Sequence, residues 1–224
     1  MDEAALVAEL VSVHGVHTII LYGSRARGDA TEESDIDVAT FGTVETTLRD
    51  ARVWHGRYLD AFVYPEAVAT APLDDDLLKL QTARVLLDDH GLALPLLERV
   101  ADRVRNGPSP ITDDDRQMRI VWAHKTVERI RRGDIEAHYR THQLLFQLLE
   151  DYYALRGRWY RGPKESFAAM RVDDPATFAL FERAGADAPT AGGAEPGAGG
   201  DIGAGAERRL ALAGAATLGR MGAA

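Results

Sequence analysis

In the first 90 positions, segments with the apolar spacing of a helix alternate with segments that have the apolar pattern of a strand. Apolar residues at helical spacing predict a short amphipathic helix over 3–13, which Gly15 ends. A β-branched apolar run predicts a buried strand over 17–22. The other elements predicted here are strands over 36–41 and 58–64, helices over 45–53 and 74–81, and a strand or helix end over 84–88. This mixture predicts an α/β (α+β) sheet domain, which we place at residues 1–104.

A turn-rich segment at 105–110 separates the sheet domain from a stretch with the sequence pattern of helices. Thr112 precedes three aspartates, and a hydroxyl cap with acidic residues in the first turn is typical of a helix N-terminus. Apolar residues then recur at helical spacing, and Pro163 opens a further short helix. We therefore predict a small C-terminal helical bundle over residues 111–185.

The last segment, residues 186–224, is rich in glycine and alanine. It holds 10 of the 21 glycines and no aromatic residue. Such a composition cannot bury enough apolar area to offset chain entropy. We predict a disordered tail over 186–205 and a weak helix over 206–218.

Composition excludes several functional classes. The chain has 224 residues, 46% of them hydrophobic, a net charge of −9 and no cysteine, which rules out disulfides and thiolate metal sites. Residues 1–100 carry 8 basic and 18 acidic side chains, so the strongly basic surface that long nucleic acids favour is not expected. No apolar stretch of about 18 residues and no signal-like N-terminus is present. We expect a cytoplasmic protein that does not bind membranes.

The chemistry is concentrated in the run from Leu21 to Val38. Asp35 and Asp37 lie one residue apart, so on a strand both point to the same face. Two adjacent carboxylates are unfavourable unless a cation lies between them. The Gly-Ser pair at 23–24 offers backbone N–H groups and a hydroxyl, which suit phosphate. A metal beside a phosphate suggests nucleotidyl or phosphoryl transfer.

The chain has a Gly-Ser pair at 23–24 and, after ten intervening residues, Asp-Ile-Asp at 35–37. This spacing resembles the signature of the DNA polymerase β-like nucleotidyltransferase superfamily. That signature also includes a carboxylate on a later strand, a place that Asp60 fits. The intervening loop resembles that of a bacterial subgroup containing minimal and aminoglycoside or lincosamide nucleotidyltransferases. The resemblance is close over 15–65 and extends to 66–180 only in layout.

The resemblance implies a mixed sheet and a set of site residues. The implied catalytic and metal ligands are Asp35, Asp37 and Asp60, holding two Mg²⁺ ions. The implied nucleotide-binding residues are Gly23, Ser24 and Arg25. A solvated surface arginine is the alternative for Arg25. Oxygen-only ligands suit Mg²⁺, which agrees with the chemistry of the residues themselves.

The expected reaction moves a nucleoside monophosphate, AMP from ATP, to a hydroxyl of a small-molecule acceptor and releases pyrophosphate. Two alternatives stay open: an antitoxin-like module that binds or AMPylates a partner protein, and a catalytically silent nucleotide-binding domain. A homodimer is a further possibility. Candidates for a carboxylate base are Glu66, Glu128 and Glu136, and no motif selects among them. The basic and aromatic run at 156–164 either stacks on a base or acceptor or simply ends a helix.

Overall fold

A five-stranded mixed sheet organises the first half of the chain in the computed structural model, which describes residues 1–186. The strands are β1 (Val16–Tyr22), β2 (Ile36–Gly42), β3 (Leu48–Trp54), β4 (Arg57–Pro65) and β5 (Arg84–Asp88). Their order across the sheet is β3-β4-β2-β1-β5. β2 and β4 are parallel, and the other neighbouring strands are antiparallel. The mixed sheet expected from the sequence is confirmed.

Helical segments cover both faces of this sheet. They are α1 (Glu3–His14), α2 (Gly23–Arg27), α3 (Glu66–Thr70), a 3₁₀ helix (Asp75–Thr82) and α4 (Ala93–Asn106). α1 buries Leu6 and Leu10 against one face. The 3₁₀ helix and α4 pack on the other face, where Leu80 and Leu96 are fully buried. Each face therefore has its own apolar core, which explains why the central strands are apolar on both sides.

The helix predicted over 45–53 is wrong. Most of that segment is β3, an edge strand paired antiparallel with β4. Its exposed positions include Val53 at 71%, and two of its less exposed positions are the polar residues Asp50 and Arg52. The sequence therefore lacks the apolar alternation of a strand, and hydrogen bonding to β4 decides the conformation. The predicted helix over 74–81 is a 3₁₀ helix, and the ambiguous segment over 84–88 is a strand.

The chain folds into two compact units, and the second begins at Gly107. Its helices are α5 (Asp113–Ile130), α6 (Ile135–Ala154), α7 (Gly162–Asp173) and α8 (Pro175–Ala186). The predicted cap is confirmed, because the Thr112 side chain accepts a hydrogen bond from the backbone N–H of Asp115 at 3.1 Å. The core of this unit is apolar and includes Leu144, Leu148 and Met170.

The predicted tail over 186–224 lies outside the described residues, except that α8 extends to Ala186. Among residues 1–186, no helix combines the length and the apolar character needed to cross a bilayer.

Candidate active site

Asp37 and Asp60 face each other across two parallel strands. Asp37 is the second residue of β2 and Asp60 the fourth of β4, and the two are direct register partners. Register partners project from the same face of a sheet, at about the 4.8 Å strand spacing. Tyr22, at the end of β1, is the partner of Asp37 on its other side. Asp35 lies in the loop one residue before β2. The sheet thus brings two of the three predicted carboxylates together, and the chain places the third beside them.

This arrangement concentrates negative charge. Burial raises the pKa of Asp37 above its usual range, and the neighbouring charges of Asp35 and Asp60 raise it further. Burial and the nearby carboxylates Asp37 and Asp60 also raise the pKa of Tyr22. A cation would relieve this repulsion, so the electrostatics fit a divalent metal site.

Gly23 lies in direct contact with the Asp37 carboxylate. A Cβ at Gly23 would lie 2.4 Å from Asp37 Oδ2, and the Gly23 φ angle is +72°. Both observations require glycine. The predicted Gly-Ser turn is the first turn of α2, and the carbonyl of Ser24 accepts the backbone N–H of Gly28 at 2.9 Å where this short helix ends. Gly23 therefore lets the backbone approach the carboxylate closely.

Arg25 binds the loop that leads into β2. Its Nε donates to the carbonyl of Asp35 at 2.9 Å, and a second guanidinium nitrogen donates to the carbonyl of Ser34 at 2.5 Å. The guanidinium thus fixes the backbone that carries Asp35. The nucleotide contact expected for Arg25 stays a prediction beside this positioning role.

Arg49 engages Asp60, and the sequence did not indicate this contact. Two nitrogens of Arg49 on β3 donate to the two carboxylate oxygens of Asp60, at 2.7 and 2.8 Å. The oxygens of Asp35, Asp37 and Asp60 are not all within 4.8 Å of one another. A metal bound by all three would therefore require at least one of these carboxylates to move, and Asp60 would share its oxygens with Arg49 or release it. Arg49 was missed because its segment was predicted as a helix, which hid its place beside β4.

Lys79 brings a positive charge close to the carboxylates. Its ammonium lies 3.7 Å from the centroid of the Phe62 ring, 5.3 Å from that of Tyr22, and donates to Tyr64 Oη at 3.1 Å. Burial lowers the pKa of Lys79, while its charge lowers the pKa of Asp37. The sequence carried one signal for it, since Lys79 is the only lysine in the first 100 residues.

The helical unit has a polar pocket of about 1100 Å³. Arg156 and Arg158, from the predicted basic and aromatic run, line it together with Tyr152 and Asp173. The Arg156 guanidinium lies 3.8 Å from the centroid of the Tyr152 ring, and Arg158 pairs with Asp173 at 2.8 Å. The lining of the pocket is therefore mainly charged, because the Tyr152 ring is only 2% exposed and lies against Arg156.

Sequence comparison assigns the first unit. Residues 5–82 match a family described as "Nucleotidyltransferase domain". Residues 5–82 therefore form a nucleotidyltransferase domain, and this match supports the resemblance of the motif at 23–37 to the DNA polymerase β-like superfamily. A solved structure, described as a nucleotidyltransferase-like protein from Exiguobacterium sibiricum 255-15, aligns with 97% of this chain and 72% of its own, at 13% identity and a TM-score of 0.41. No curated protein matches the chain.

Proposed function

We propose that this nucleotidyltransferase domain transfers AMP from ATP to a hydroxyl group of a small-molecule acceptor and releases pyrophosphate. One observation carries the proposal: Asp37 and Asp60 are register partners on parallel strands, with Gly23 packed against the Asp37 carboxylate. A pair of acidic groups beside a glycine-led turn suits a nucleotide held through its metal-bound phosphates.

Asp35, Asp37 and Asp60 would hold the two Mg²⁺ ions. The donor set fits, because all three ligands are carboxylates. Burial and, after it, the charges of Asp35 and Asp60 raise the pKa of Asp37, and a bound cation would offset both effects. When bound, Mg²⁺ supplies charge neutralisation on the phosphates and lowers the pKa of the attacking hydroxyl.

The remaining residues orient the nucleotide. Gly23 and Ser24 present backbone N–H groups to the phosphate tail, and Arg25 fixes the loop that carries Asp35. The positive charge of Lys79 partly offsets the negative charges of Asp37 and Asp60. Arg49 restrains Asp60 until a cation takes its place.

A small-molecule acceptor is favoured because the second unit has a pocket of its own, lined mainly by charged side chains. A homodimer and a cytoplasmic location stay predictions. The Arg49–Asp60 ion pair favours a second candidate, a nucleotide-binding domain without turnover, because it already neutralises the third carboxylate.

Pyrophosphate release, screened over four nucleoside triphosphates and a panel of hydroxyl compounds, tests the proposal. We expect release with Mg²⁺-ATP, and its loss in Asp35→Asn and Asp37→Asn, which keep side-chain size and remove the charge. Glu32→Gln, an exposed carboxylate in the same loop, is the matched control and should retain activity. Binding of Mg²⁺-ATP without pyrophosphate release would select the silent domain. Turnover that survives in Asp37→Asn would contradict the assigned site.

A further inference from the structure

Three side chains converge at the opposite end of β1 from Tyr22 and Asp37. His17 comes from the start of β1, Glu66 opens α3, and His90 lies in the loop after β5. Their ligand atoms are all within 4.8 Å of one another. The His17 side chain is 11% exposed, and those of Glu66 and His90 are 47% exposed. This cluster is therefore part buried and open to solvent on one side.

The hydrogen bonds around His17 fix which of its nitrogens carries the proton. The Thr18 hydroxyl donates its single proton to Asp88 Oδ1 at 3.1 Å. It must therefore accept from His17 Nδ1, which lies 3.1 Å away. In the neutral imidazole this leaves Nε2 as an acceptor with a free lone pair.

That lone pair faces another acceptor. His17 Nε2 is buried without a hydrogen-bond partner, and Glu66 Oε2 lies 3.4 Å from it. Two acceptors this close repel each other unless a positive species lies between them. His90 can donate a proton to Glu66, but this does not relieve the contact at His17. The geometry calls for a cation, either a proton on His17 or a metal ion.

The spacing matches a tetrahedral metal. Zn²⁺ binds imidazole nitrogen and carboxylate oxygen at about 2.0–2.2 Å, which places neighbouring ligand atoms about 3.3–3.5 Å apart. The 3.4 Å from Glu66 Oε2 to His17 Nε2 lies in this range, and the 3.5 Å from the same oxygen to His90 Nδ1 shows that the third ligand is within reach. We propose that His17, Glu66 and His90 form a binding site for a Zn²⁺-like transition metal.

One local movement must accompany binding. The His17 and His90 rings are stacked, with centroids 3.6 Å apart and planes inclined by 13°. A metal lies near the plane of each imidazole that binds it, so nearly parallel rings cannot share one ion. The His90 ring, which is 47% exposed, can turn, whereas Thr18 and Asp88 hold the His17 ring in place. The Thr18–Asp88 contacts are the kind of outer support that metal-binding histidines use.

This site is distinct from the carboxylate site in chemistry and in place. Two nitrogen donors favour Zn²⁺, Co²⁺ or Ni²⁺ over Mg²⁺, which prefers oxygen. His17 and Tyr22 are five residues apart on β1, so the two sites are about 17 Å apart. A metal here would join β1, α3 and the loop before α4, and it would stabilise the fold whether or not the domain is catalytic.

Metal titration of the full chain tests the site. Zn²⁺ affinity is measured against a chromophoric chelator, and Co²⁺ is added separately because a tetrahedral site gives intense visible absorption. His90→Phe keeps a ring for the stack and removes the ligand nitrogen. We expect it to weaken Zn²⁺ binding by at least about 100-fold, since losing even an outer partner costs about 10- to 100-fold. His124→Phe, at an exposed position on α5, is the matched control and should bind as the parent does.

The outcomes separate a metal from a proton. The site is supported if His90→Phe and Glu66→Gln each lose one Zn²⁺ equivalent and the Co²⁺ bands. His124→Phe should keep both. Zn²⁺ bound only at the carboxylates would be unchanged by His90→Phe and would overturn it. NMR spectra that show both His17 nitrogens protonated and unaffected by Zn²⁺ would overturn it as well, since a proton would then fill the gap. None of these readouts depends on nucleotidyl transfer.

Discussion

Replacing Gly23 with alanine should displace the Asp37 carboxylate. The new Cβ would lie 2.4 Å from Asp37 Oδ2, whereas a Cβ essentially never comes within 3.0 Å of a heavy atom outside its own residue and chain neighbours, so the carboxylate must move by at least 0.6 Å. A misplacement of about 1 Å in a catalytic group costs about 100-fold in rate. We expect Gly23→Ala to lower the rate of pyrophosphate release by about 10- to 100-fold.

The same substitution also strains the backbone. An alanine at a φ of +72° pays a left-handed penalty of about 1–2 kcal/mol. Gly28→Ala separates the two effects, because Gly28 has a φ of +86° and open space within 4 Å of its Cβ position. In denaturant titrations Gly28→Ala should lose the unfolding free energy of the backbone strain alone, and Gly23→Ala should lose at least as much.

Only Gly23→Ala should lose activity. Pyrophosphate release is assayed with the nucleotide and acceptor from the screen, and Mg²⁺-ATP affinity is measured in parallel. Equal rates and equal affinities in Gly23→Ala and Gly28→Ala would mean that the Asp37 carboxylate is not needed where it lies, and the assignment of this site would fail.

Two further predictions concern the carboxylates. Arg49→Met frees Asp60 and should lower the Mg²⁺ concentration for half-maximal activity severalfold, whereas Arg52→Met, on the same strand, should leave it unchanged; an unchanged requirement in Arg49→Met would show that the ion pair does not compete with metal. The pKa of Asp37 is higher in the folded protein than in the unfolded chain, so protonated Asp37 stabilises the fold relative to the charged form. This contribution to the free energy of unfolding is complete below the unfolded pKa of about 3.9 and is lost as the pH rises through the folded pKa. Asp37→Asn should therefore resist urea better than the parent at pH 7, with a smaller difference near pH 4, and Glu32→Gln should show no such gain.

The sequence predicted the motif loop well because that loop is locally determined. Gly23 contacts Asp37, and Arg25 binds the backbone of Ser34 and Asp35, so its main interactions join residues within about fifteen positions. Short-range chemistry of this kind is visible in a linear pattern. The buried strands β1 and β2 were equally clear, since both are apolar on two faces.

Interactions between residues far apart in the chain could not be predicted from the sequence. The Arg49–Asp60 pair depends on β3 lying beside β4, and β3 shows no apolar alternation because its half-buried positions Asp50 and Arg52 are polar. Glu66 was one of three candidate bases, and the structure places it beside His17 and His90 instead, six residues and about 20 Å along the chain from Asp60. No sequence pattern joins residues 17, 66 and 90, because the pairing of β1 with β5 and the position of α3 after β4 bring them together.

The edge strand explains how the third carboxylate reaches the site. β4 is parallel to β2, and it follows β3 through a tight hairpin in which Trp54 and Arg57 are register partners. That hairpin sets the register of β3 against β4, and pairing with β2 then places Asp60 opposite Asp37. A slip of one residue would turn Asp60 to the other face, into the core beneath α1, and would bring Leu59 to the carboxylates. β3 therefore supports the site in two ways. It pairs with β4 through the hairpin, and its Arg49 holds the Asp60 side chain on the face where the other two acids lie.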